Sequence, residues 1–159
     1  MIVDMRQNHF SEAYCKTLQK AIAEKNAGKI YTKGKSMAPL ISADNYVSII
    51  SARSPLKNGR CYLFMYNGDA YIHRLIRSNS HEAIFAGDTT YCCERVTKNQ
   101  IICEAHVAEN KVCRSLIVCI NMLFSFAGHK SAFFQKLRVH ILKKITAIMI
   151  KENKNEKRI

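Results

Sequence analysis

The chain has 159 residues, a formal net charge of +13 and seven cysteines. That length holds one domain with an appendage, and its 48% hydrophobic content argues against a disordered chain. An odd cysteine count behind a polar first 30 residues argues against a signal peptide and a secreted disulfide framework, and no run reaches the roughly 18–20 apolar residues of a spanning helix.

The first predicted element, within residues 1–28, is an amphipathic helix. Phe10, Ala13, Tyr14, Leu18, Ala21 and Ile22 recur at three- and four-residue steps with charged residues between them. Ser11 stands near its start, and Gly28 follows as a stop signal. Residues 29–112 read instead as strands. Segments 46–50, 61–66 and 70–76 are rich in β-branched and aromatic residues, and 82–86 and 100–107 add two more. Asn67-Gly68-Asp69 between two of these runs signals a tight hairpin. Short strands at this spacing predict a small, strongly bent antiparallel β-domain, giving a mainly β fold with flanking helices (α+β).

Residues 113–159 form a basic helical appendage. From 130 to 159 there are nine Lys/Arg and two Glu, so +7 of the +13 lies there. Phe134, Leu137, Ile141, Ile145 and Ile148 make a stripe, with Lys136, Arg138, Lys143, Lys144 and Lys151 on other faces. Such a helix suits a headgroup interface or an apolar groove. With the 115–127 segment it predicts a helical hairpin that rests on an anionic membrane surface or covers the β-domain. A nucleic-acid partner is not expected, because no basic residues alternate with most of the strand aromatics.

Three segments carry chemistry. Ser36 lies in Gly34-Lys35-Ser36-Met37-Ala38-Pro39, and His73-Arg74 and Gly87-Asp88 follow on separate elements. A serine hydroxyl is a poor nucleophile until a neighbouring base takes its proton. Ser36, His73 and Asp88 supply nucleophile, base and orienting carboxylate, provided the fold brings them together. Taken singly, each has a plainer reading: a turn serine, a packed strand histidine, a Gly-Asp turn. Cys92 or Cys93 with Cys103, Glu104 and His106 is the best metal constellation. It lacks paired CxxC spacing, so neither metal nor cofactor is expected.

From about Thr32 to Val107 the sequence resembles the signal peptidase I family and its relatives among self-cleaving SOS repressors. Gly34 to Pro39 is similar to the nucleophile box Gly-x-Ser-Met-x-Pro. The segment around His73 is similar to the base box of the endoplasmic-reticulum and archaeal branch, where His replaces the bacterial Lys, and Ala86-Gly87-Asp88 resembles the Gly-Asp box. The resemblance implies a serine endopeptidase acting on a peptide or precursor protein beside a small side chain. Ser36 would attack, His73 would accept the proton, and Asp88 would orient the imidazole, with Glu94 as the alternative acid. The Ser36 backbone N–H would meet the oxyanion, with Gly34 and Met37 beside it. Gly34 stands where many bacterial members carry a hydroxyl donor. No segment before Ser36 has the length of a signal peptidase's membrane anchor, so the expected location is cytoplasmic, peripheral at the inner membrane face. Self-cleavage, with Ala27-Gly28 as the small-residue bond, and a catalytically degenerate binding domain are the alternatives.

Overall fold

The computed structural model describes residues 2–4, 12–25, 27–38, 40–41, 43–90, 92–107, 111–127 and 132–156. Phe10, Ser11 and Pro39 lie outside them, as do the side chains of Tyr14 and Phe134. The described strands are β1 (Ile2–Asp4), β2 (Gly28–Thr32), β3 (Asn45–Ser51), β4 (Cys61–Tyr66), β5 (Asp69–Ser78), β6 (Glu82–Ala86), β7 (Cys93–Thr97) and β8 (Ile101–His106). They form one curled sheet in the order β1-β2-β3-β8-β4-β5-β6-β7. Seven strands run antiparallel to their neighbours, and β1 adds in parallel at the β2 edge. The mainly β fold with flanking helices is therefore what the chain adopts.

The pleat explains how so short a sequence buries two cores. Successive strand residues leave opposite faces, and β4 divides its side chains accordingly. Cys61 and Leu63 join Ile30, Ile49, Cys103 and Ala105 on one face. There α1 (Glu12–Lys25) lays down Leu18 and Ile22 of the predicted stripe together with Cys15, which the stripe does not include, while Ala13 of the stripe is exposed. Tyr62 and Phe64 join Leu75, Phe85, Val96 and Ile101 in the second cluster. The Phe64 and Phe85 rings stack there with centroids 4.3 Å apart.

The β4–β5 hairpin forms where Asn67-Gly68 predicts it. Both residues have positive φ (52° and 86°), as a two-residue type I′ turn needs, and Tyr66 pairs with Asp69 across it. This turn fixes the register that places His73 opposite Tyr62 and Arg74 opposite Cys61.

Beyond the sheet, α2 (Lys111–Ala127) and α3 (Ala132–Glu156) pack against each other. Ile117, Ile120 and Leu142 are buried between them, with Leu40, Ile141 and Ile145 alongside. Of the two expected settings for this hairpin, its inner side covers the β-domain: Arg114 and Val118 crowd Gly59, and α2 touches β5. The predicted α3 stripe is split. Ile141 and Ile145 turn inward beside Val139 and Leu142, whereas Leu137 and Ile148 stay exposed. Arg138, expected on a solvated face, is buried at 2% exposure because it hydrogen-bonds groups of α2 and the β-domain.

Candidate active site

Ser36 lies in a loop closed at its base by the sheet itself. Thr32 ends β2 opposite Asn45 of β3, and Asp44 N–H donates to Thr32 O at 2.7 Å. Within the loop, Ala38 N–H donates to Lys35 O at 3.0 Å, closing a turn around Ser36 and Met37. Met37 is buried beneath this turn, while Gly34 and Lys35 are exposed and Ser36 is half-buried.

The Gly-Asp segment fastens that turn. Thr89 N–H donates to Ser36 O and Thr89 Oγ1 donates to Lys35 O, each at 2.8 Å. Gly87 is required by this approach: a Cβ there would lie 2.9 Å from Ser36 O and 2.8 Å from the Thr90 side chain. The glycine thus serves backbone contact, and the nucleophile turn depends on a segment fifty residues downstream.

His73 sits on β5, 2% exposed, between aromatic neighbours: Phe64 at 6.0 Å and Tyr71 at 5.6 Å between ring centroids. Its Nδ1 is 2.8 Å from Glu94 Oε2. A carboxylate acceptor there fixes the proton on Nδ1 and leaves the Nε2 lone pair available. Nε2 is buried and has no hydrogen-bond partner. Such an orphan is uncommon, because buried polar atoms are normally paired. A cleft of about 510 Å³ opens here, lined by both Ser36 and His73 and also by Gly34, Met37, Tyr71 and Glu94. The nucleophile and base candidates therefore meet in one cleft, although no hydrogen bond joins them. Loose pairing of this kind is ordinary for a site without substrate.

Asp88 is not the carboxylate that contacts the imidazole. It is 1% exposed and accepts two hydrogen bonds from Arg74, Nε to Oδ1 at 2.9 Å and Nη2 to Oδ2 at 2.8 Å. Arg74 Nη1 also donates to Gly59 O at 2.6 Å. The reason is strand parity. His73 and Arg74 are consecutive, so they leave opposite faces of β5. Arg74 pairs with Ala86, two residues before Asp88, whereas Glu94 pairs with Phe85 on the aromatic face that carries His73. The bidentate Arg74–Asp88 pair ties β5 to the segment holding the nucleophile turn.

Arg138 of α3 was not foreseen as part of this region. It donates through Nη2 to Thr90 O and through Nη1 to Asn121 Oδ1, the latter at 2.8 Å. Burial lowers its pKa, opposed by Cys93 first and then Asp88, Cys92 and Glu94. Only tertiary structure brings it there, so no spacing in the sequence signals it. Among the described residues no group of three His, Cys, Asp or Glu side chains could hold a metal ion. Cys103, once a zinc candidate, is buried in the sheet, and desolvation pushes its thiol pKa up to about 12.

The curled β-sheet thus sets the Ser36 turn and the buried His73–Glu94 pair on the lining of one cleft. A model of the family described as Peptidase S24-like matches residues 2–108, more than half of the chain, and the chain belongs to that family. No curated protein matches it. The match stops short of α2 and α3.

Proposed function

We propose that the protein is a serine endopeptidase in which Ser36 attacks a peptide carbonyl, His73 accepts the hydroxyl proton at Nε2, and Glu94 holds the imidazole through Nδ1. One observation carries this reading: the buried, unpartnered Nε2 of His73 in the cleft that Ser36 also lines. As Ser36 Oγ bonds to the carbonyl carbon, its proton passes to Nε2. The resulting imidazolium is stabilised by the Glu94 carboxylate and then protonates the leaving amine. Water repeats the cycle to release the acyl group. The Ser36 backbone N–H faces the developing oxyanion, a contribution on the order of 3 kcal/mol for such donors. Met37 and Gly34 are substrate-contact candidates because both line the cleft. A small side chain beside the scissile bond rests only on the likeness to signal peptidases.

The test is Ser36→Ala and, separately, His73→Ala, each followed by comparison of the cell's precursor peptides with wild type. An uncut precursor accumulating in both variants supports the reading, and normal processing in both refutes it.

Self-cleavage at Ala27-Gly28 is disfavoured by a specific contact. Gly28 already belongs to β2 and pairs with Ile49 of β3. That bond reaches the cleft only if β2 leaves the sheet that anchors the nucleophile loop. The substrate that fits better is therefore a separate peptide.

A further inference from the structure

The cleft wall that carries Ser36 is basic. Residues 29–43 hold three lysines and no Asp or Glu. Two of them, Lys33 and Lys35, line the cleft on either side of Gly34, and both are exposed. Neither has an ion-pair partner among the described residues. Glu94, the one acidic residue of the lining, is 8% exposed and gives its Oε2 to His73 Nδ1. Asp44, at the base of the loop, accepts a hydrogen bond from Tyr31 OH. The backbone under the lysines is fixed: Asp44 N–H donates to Thr32 O just before Lys33, and Lys35 O accepts from both Ala38 N–H and Thr89 Oγ1. Apart from its chain neighbours, a Cβ on Gly34 would meet only Ser36 Oγ, at 3.9 Å. The hydroxyl therefore lies on the open side of Gly34, with a lysine before and after that glycine in the chain. Apart from His73 and Glu94, the rest of the lining is uncharged.

We propose that the cleft takes an acidic peptide: an Asp or Glu side chain within about two residues of the scissile bond, ~7 Å of extended chain, is held by Lys33 and Lys35. This rests on the peptidase reading of the cleft and names its substrate class. Charge balance during the reaction favours it. Attack by Ser36 makes an imidazolium at His73 and an oxyanion on the substrate. With the two lysines and Glu94, the site then holds three positive groups against two negative, and one substrate carboxylate makes it neutral. A Lys or Arg side chain in the same place would add a fourth positive charge to a partly enclosed cleft, where charges are poorly screened. Lysine suits the task because its ammonium is a point charge on a flexible four-carbon stem. It can follow a carboxylate to more than one position along the peptide, so the pair sets a preference for charge and not for a single residue. Each lysine should favour a carboxylate by up to about 5-fold, the range of an exposed ion pair.

The test passes a library of random decapeptides over immobilised full-length protein carrying Ser36→Ala and sequences the retained pool. Asp and Glu should be enriched over Asn and Gln roughly 10-fold, and added salt should reduce the enrichment. Lys33→Gln with Lys35→Gln in the same protein should abolish it, and Lys33→Glu with Lys35→Glu should turn it toward Lys and Arg. Both lysines are exposed, so an unchanged thermal melt shows that the fold survives these changes. No retained peptide, no acidic enrichment, or an enrichment that persists without the two lysines overturns the proposal; the last result would place acidic binding elsewhere on this basic chain. Incubating the same library with the wild-type protein separates the two readings. Acidic peptides that are retained but left uncut would refute the peptidase and leave the acidic groove standing. Cleavage with no carboxylate preference around the cut bond would keep the peptidase and refute the role of the lysines.

Discussion

Glu94 and Asp88 are both buried carboxylates near the cleft, and they should fail in opposite ways when neutralised. Glu94→Gln replaces the acceptor at His73 Nδ1 with an amide that can donate to it. Donation there favours the tautomer with its proton on Nε2, which cannot take one from Ser36. A correctly placed general base contributes about 10²–10⁴ in rate. The rate of covalent labelling by a fluorophosphonate probe should therefore fall by about that factor, or roughly 3–5 kcal/mol of barrier. The melting temperature should change little, because Gln keeps the size and a hydrogen bond. Asp88→Asn removes the charge that balances Arg74, which is 0% exposed. Breaking one side of such a buried pair costs about 3–5 kcal/mol of stability. That variant should show a lowered melting temperature while the fraction still folded labels within about 10-fold of wild type. Wild-type labelling by Glu94→Gln, or abolished labelling by a fully stable Asp88→Asn, would refute the assignment of the two acids.

Gly87→Ala should cut labelling by about 10²-fold, because its Cβ would push on Ser36 O from 2.9 Å and displace the nucleophile. A crystal structure of that variant should show the turn shifted. Arg138→Ala strands Thr90 O and Asn121 Oδ1 without their donor, at about 1–3 kcal/mol each. Labelling should fall in that variant although α3 lies outside the cleft, and Arg138→Lys should restore only part of it, since one ammonium replaces a two-pronged donor. In the folded protein at pH 8, Cys92 and Cys119 should react with iodoacetamide, while Cys15, Cys61 and Cys103 stay protected. Protection of Cys103 also has a pH signature. Its raised pKa lets the folded chain keep a proton that the unfolded chain releases from about pH 9, so stability should fall between about pH 9 and about pH 12.

The chemistry was easier to read than its wiring. Asn67-Gly68 marks the β4–β5 hairpin because only residues tolerant of positive φ suit that turn, and from it the placement of His73 follows. Ser36 and Gly87 stand out because a nucleophile turn and a close backbone approach each demand particular residues. The β7 strand was not legible. Of its five residues only Val96 and Thr97 are β-branched and none is aromatic, too short a run to announce a strand, and it forms at the sheet edge by pairing with β6. Missing β7 hid the partner of His73: without the Phe85–Glu94 register, Asp88 is the nearer acid in sequence. Counting strand parity from Arg74 would have pointed away from it. Arg138 was invisible for another reason. A charged residue in a basic helix reads as solvated until the surface it packs on is known.

The claim at the centre is that the Ser36 hydroxyl is activated by His73, and mass mapping of a fluorophosphonate adduct tests it most directly. The account predicts one modified peptide containing Ser36, with modification lost in His73→Ala while the variant remains folded. An adduct on a different residue, or undiminished Ser36 labelling in His73→Ala, would contradict it.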